Sequence, residues 1–210
     1  MRKIEGSHLL GVVLLLEVLL GIRPEADRLT WALENAPVWI GLVACVWTYR
    51  SFPLTRLCYL LLSFHAVILM IGGYYTYAKV PLFDWIRDSF HLSRNHYDRV
   101  GHFAQGFFPA ILVRELLLRT STLRPGKWLF FLCVCVCLAF SAFYEIIEWR
   151  VAVMSGKEAS TAFLATQGDV WDTQWDMFLA VVGAITSLLV LSKAHDRSLA
   201  RLRASDTRPA

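Results

Sequence analysis

The residues best equipped for chemistry are one imidazole and a group of carboxylates: Asp98, His102, Glu145, Glu148, Asp169, Asp172 and Asp176. They fall into three stripes. Asp98, His102 and Gln105 are spaced i, i+4, i+7, as are Ser141, Glu145 and Glu148. Asp169, Asp172 and Asp176 are spaced i, i+3, i+7. On a helix each set shares one face. A single imidazole among oxygen ligands suits a divalent cation. Oxygen-rich sets favour Mg, Mn or Ca, and an added His shifts the balance toward Zn, Mn or Fe. The expected metal ligands are Asp98, His102, Asp172 and Asp176. Glu145 or Glu148 would act as general base. Asp98, Gln105, Asp169 and Gln174 would line a polar ligand site. Acids this close cannot all stay charged without a shared proton or cation. The same residues have a plainer reading, as a network that fixes helix positions. Asp98 and Asp172 would then be helix N-caps, Asp176 would pair with His102, and Glu145 with Arg99 or Arg150.

The elements that must carry these stripes are apolar. Apolar residues make up 56% of the 210-residue chain, above the usual 45–50% or so. They cluster into Leu9–Ile22, Ala36–Tyr49, Leu57–Tyr77, Gly101–Leu118, Trp128–Ile147 and Met177–Leu191. A membrane-spanning helix needs roughly 17–25 such residues, so the shorter runs must borrow from their flanks. The expected fold is all-α: a polytopic bundle of about six spans in one domain, residues 1–192, with a flexible basic tail over 193–210. Met1-Arg2-Lys3 imitates a signal peptide, but Ile22-Arg23-Pro24-Glu25 offers no small-residue cleavage site, so a retained span is expected. Because direction alternates with each crossing, all three stripes meet at one membrane face. The fourth and sixth spans begin there, and their positive dipole ends favour an anion such as a phosphate.

With both termini inside, cytoplasmic segments hold 13 Lys and Arg against 8 outside, which sets the orientation and places the stripes outward. The net charge of +4 then serves anionic headgroups, and the expected partner is the lipid bilayer. No basic surface on a soluble domain points to nucleic acid. Two long outer loops are expected, Ala78–Val100 and Glu148–Asp176. Cys133-Val-Cys-Val-Cys137 resembles a metal motif, but residues two apart on a helix point about 200° from each other, so packing is expected instead. Glu17 stands alone in the first span, Arg114 is expected to snorkel, and His195 has no partner by spacing. No Gly-rich phosphate loop or nucleophile triad is legible, and no organic cofactor is indicated.

At Gly72-Gly-Tyr-Tyr-Thr-Tyr-Ala-Lys-Val-Pro81, Tyr97-Asp-Arg-Val-Gly-His-Phe103, Tyr144-Glu-Ile-Ile-Glu-Trp149 and Thr166-Gln-Gly-Asp-Val-Trp-Asp-Thr-Gln174 the chain resembles the bacterial YjdF-type inner-membrane proteins. The resemblance implies a multi-pass protein of the cytoplasmic membrane and carries no activity with it. Asp98-Arg-Val-Gly-His-Phe103 and Asp176 through Gly183 also resemble, more weakly, two patterns of the VanZ-like membrane proteins, which are linked to glycopeptide tolerance. Asp98, His102, Asp176 and Gly183 match; Ala180 and Arg99 stand where those proteins have Asn and Lys.

The leading expectation is metal-assisted hydrolysis or phosphoryl transfer on a lipid-linked or cell-envelope substrate, such as a phosphorylated lipid or envelope precursor. The alternatives are a non-enzymatic envelope-component binding or resistance factor, and a cation- or proton-coupled carrier. A carrier needs polar residues through the bilayer, and the spans below the stripes are mostly Leu, Val, Ala and Phe.

Overall fold

The structure, a computed structural model, describes residues 2–154 and 167–206. The middle of the expected Glu148–Asp176 loop and the last four residues of the tail lie outside the described residues. Among those described there are seven α-helices and no strand: α1 (Arg2–Ile22), α2 (Arg28–Thr48), α3 (Arg56–Tyr75), α4 (Pro81–Phe90), α5 (Tyr97–Thr120), α6 (Lys127–Met154) and α7 (Asp172–Asp206). Local chemistry sets several starts. The Asp27 carboxylate accepts the Leu29 and Thr30 N–H groups, each at 3.0 Å. Thr55 Oγ1 accepts from Cys58 N–H at 3.3 Å, and Pro81 opens α4, where its missing N–H costs nothing.

α2, α3, α6 and α7 are each long and apolar enough to cross a membrane, and α1 contains a shorter apolar stretch, Gly6–Ile22. The expected fourth span falls on α5, which carries Asp98, Arg99, Arg114, Glu115 and Arg119 and is more polar than the others. Its position explains this. α5 is the central helix, packed by α3, α6 and α7, so its charges face protein rather than lipid. The six expected spans correspond to α1, α2, α3, α5, α6 and α7.

Two expectations of element type need correction. The loop Ala78–Val100 contains a true helix, α4. Residues 193–206, set apart as a flexible tail, continue α7 without a break.

α5 and α7 touch backbone to backbone. A Cβ on Gly106 would overlap the Ala180 carbonyl, and one on Gly183 would overlap the Phe103 carbonyl. Only glycine allows this approach, which aligns one face of α5 with one face of α7 along most of their length. Below it, Ala110, Ala184 and Leu188 pack against Leu129, Cys133 and Cys137 of α6. Cys133 and Cys137 are thus core residues and Cys135 is only partly buried, as helical geometry requires of the Cys-Val-Cys-Val-Cys run.

Candidate functional site

At one end of the α5–α7 pair, His102 projects from α5 into a ring of acids. Its Nδ1 lies 3.0 Å from Gln105 Oε1. An amide oxygen accepts, so the Nδ1 proton points to Gln105, and Nε2 is the ring nitrogen turned toward the acids. Nε2 lies 3.5 Å from Asp98 Oδ1 and 3.9 Å from Asp176 Oδ2. Asp98, His102 and Asp176 are all buried, and one ligand atom from each can be chosen so that all lie within 4.8 Å of one another. Glu145 of α6 enters the ring with Oε1 3.8 Å from His102 Nδ1, with Thr173 beside its carboxylate. Glu148 is half-buried one turn further along, within electrostatic reach of His102 and Glu145. Three buried oxygens here have no hydrogen-bond partner among the described residues: Glu145 Oε1, Asp176 Oδ1 and Ser141 Oγ. Buried polar atoms are rarely left so.

The remaining expected residues divide between the ring and its rim. Asp172 does not join His102. It accepts from Arg94 Nη1, and the trio whose ligand atoms come together is Asp98, His102 and Asp176. Asp169 accepts from Arg99 at 2.5 Å, and its other oxygen accepts the Trp171 N–H at 2.9 Å. That backbone hydrogen bond, more than the nearby guanidiniums, holds its carboxyl below the ordinary range. Gln174 is exposed, because it stands two residues from both Asp172 and Asp176 and turns away from their face. The pairing of Glu145 with Arg99 or Arg150 is not what forms: Arg99 goes to Asp169, and Arg150 lies over the Trp149 ring.

Sequence reasoning missed Arg94, Asn95 and Glu34. Arg94 is buried and bridges Asp172, Asp98 and Asp169. Asn95 exchanges two hydrogen bonds with Gln167, and its amide also reaches Val80 O and Asp84 Oδ1. Glu34 of α2 is buried and close enough to Asp98 and His102 to feel both charges. An acid inside an apolar helix is itself a signal, but Glu34 falls two residues before the expected start of the second span. With Arg94 shared between Asp172 and Asp98 and Arg99 on Asp169, five acids (Glu34, Asp98, Glu145, Glu148 and Asp176) lie within electrostatic reach of one imidazole.

A second His–carboxylate cluster lies at the opposite end of the same helix pair. Glu115 Oε1 accepts from Thr55 N–H at 2.9 Å and Arg119 at 2.7 Å. Its Oε2 accepts from Thr55 Oγ1 at 2.6 Å, Cys58 Sγ at 3.0 Å and His195 Nε2 at 3.1 Å. Arg114 donates to His195 Nδ1 at 2.7 Å and to Asp196 at 2.7 Å. Arg114 is therefore buried in a network, not snorkelling, and His195 has partners that spacing could not show. Within the first span, Glu17 is met by Trp39 Nε1 at 2.6 Å.

The helices place the chain in a membrane, and comparison with known proteins says which group it joins. Residues 6–197 match the family described as "Predicted membrane protein (DUF2238)". The chain belongs to that family. It is 50% identical over 175 residues, 83% of each chain, to the inner membrane protein YjdF of Escherichia coli strain K12. No solved structure matches it. The chain is thus a multi-pass protein of the bacterial inner membrane, as the resemblance of its Tyr97–Phe103 and Tyr144–Trp149 segments implies.

Proposed function

We propose that the His102 ring binds a divalent cation and that the protein uses it on the phosphorylated headgroup of a lipid-linked or envelope compound. The observation that carries this is the spacing around Nε2. Separations of 3.5 and 3.9 Å to Asp98 and Asp176 are long for hydrogen bonds, which centre near 2.9 Å. They match the roughly 3–4 Å between neighbouring ligands that share one ion at about 2.1 Å. The donor chemistry fits too. Gln105 holds the Nδ1 proton and aims Nε2, as outer partners of metal-binding imidazoles do, and Asp176 Oδ1 and Glu145 Oε1, without a partner among the described residues, supply spare acceptors. Asp98, His102 and Asp176 would hold the cation. Bound there, it would polarise a phosphoryl oxygen or acidify a water. Glu145 is placed to take a proton beside it, with Glu148 behind. α5 and α7 both begin at this end, and their N-termini favour an anionic headgroup. The lysine and arginine distribution of 13 against 8 supports a site facing outward with both termini in the cytoplasm.

Elemental analysis of purified protein, beside His102→Ala, tests this. About one equivalent of one divalent metal, absent from the variant, is the expected result. Metal-free protein that also fails to take up Mn or Zn on reconstitution would refute it.

A further inference from the structure

α4 is an amphipathic helix whose apolar arc is left open. Leu82, Trp85, Ile86 and Phe90 lie on one arc of it, and Asp84, Arg87 and Asp88 on the other. A surface helix in water packs its apolar arc on the protein and shows its charges to solvent. α4 instead leaves its apolar arc open, with Asp84 and Arg87 half-buried on the other side and Asp88 exposed. Its attachments to the body run through Phe83, edge-on to Tyr97 at 5.2 Å, and Asp84, which accepts from Asn95 at 3.0 Å. Asp84 also holds Arg87 at 2.7 Å on that half-buried side. Leu82, Trp85 and Phe90 point away, 62%, 63% and 69% exposed, and α4 buries no residue fully.

We infer that the apolar arc of α4 lies in the lipid of the leaflet nearest the His102 ring, with the helix flat in the membrane interface. Two observations favour lipid as the occupant. α4 joins the membrane ends of α3 and α5, so it lies where those helices meet the bilayer surface. The residues are also of the interfacial kind: a Trp and aliphatic side chains on one side, charges on the other. Across the ring, the start of α7 exposes Val170, Trp171 and Trp175, a second apolar rim at the same end. Through Asn95 and Gln167 the first turn of α4 is tied to the segment leading into α7. The ring is thereby flanked by lipid-facing side chains and set at headgroup depth. None of this depends on a cation at His102.

Nitroxide labels on Leu82→Cys, Trp85→Cys, Phe90→Cys and Asp88→Cys in nanodiscs test it, with the unlabelled-site protein as background. Collision with oxygen, relative to collision with a water-soluble nickel chelate, should be several-fold greater at 82, 85 and 90 than at 88. Equal, water-like ratios at all four would overturn the inference. So would shielding of 82, 85 and 90 from both reagents, or dipolar broadening between copies, since either puts protein over the face. A Leu82→Cys protein that fails to fold leaves the Phe90→Cys and Asp88→Cys pair to decide.

Discussion

The two ends of the α5–α7 pair hold the same kinds of side chain and treat them in opposite ways. At one end both Glu115 oxygens are spoken for: two donors on Oε1 and three on Oε2. At the His102 end the acids outnumber the donors, and Asp176 Oδ1, Glu145 Oε1 and Ser141 Oγ have no partner among the described residues. A saturated buried network fixes helices relative to one another and has nothing left to bind with. An under-satisfied one is unstable by itself and gains from an added positive charge. Composition alone would rank the two clusters as equals, since each offers a His, Cys or carboxylate trio of suitable size. The count of hydrogen bonds per oxygen separates them.

The hardest way to break the comparison is to break the scaffold both clusters share. Gly183→Leu drives a side chain into the Phe103 carbonyl; overpacking ordinarily costs about 1–3 kcal/mol, and with backbone in the way we expect little folded protein, read as loss of the monodisperse peak in detergent. Next is the closed end. Glu115→Ala strands Arg119 and His195 in the interior, and removing one partner of a buried pair costs about 3–5 kcal/mol. Denaturation in mild detergent should show that loss whether or not divalent cations are present. At the open end the sign differs. Asp176→Asn removes one of five crowded acids, so the metal-free protein should melt no lower than the parent, while stabilisation by added Mn disappears. A saturating cation at 100 times its Kd would otherwise add about 2.7 kcal/mol.

The smallest effect is a control that touches neither cluster. Asp27 caps α2, and the Thr30 hydrogen bond holds its carboxyl below its usual range. Asp27→Ala should cost about 1 kcal/mol. Because the folded-state value is depressed, the cap's contribution is present above the unfolded value near 3.8 and is lost as pH falls through the folded one. The variant should therefore show a flatter acid limb and an unchanged neutral-pH response to Mn.

Periodicity made much of this legible. The apolar runs gave the helical class and six crossings, and alternating direction brought Asp98, His102, Glu145 and Asp176 to one end. What periodicity lacks is knowledge of contacts between helices. Glu115 and His195 meet across 80 positions, and His195 lies past Leu191, where the apolar run stops. The helix goes on past that run, where Glu115 and Arg114 hold His195 and Asp196. Glu34 was lost to a two-residue boundary. The Asp172 stripe shows the face it shares with Asp176 but not the buried Arg94 that pairs with it. α4, at 10 residues, is too short to register as a span, and its outward apolar arc has meaning only beside a bilayer.

The most direct test of the account is Mn binding, followed by electron paramagnetic resonance, to the parent protein, Asp176→Asn and Glu115→Gln in nanodiscs. We expect about one bound Mn in the parent and in Glu115→Gln, and at least a tenfold loss of affinity in Asp176→Asn. Binding that survives Asp176→Asn but disappears in Glu115→Gln, or no binding to any of the three, would contradict the assignment of the open end as the cation site.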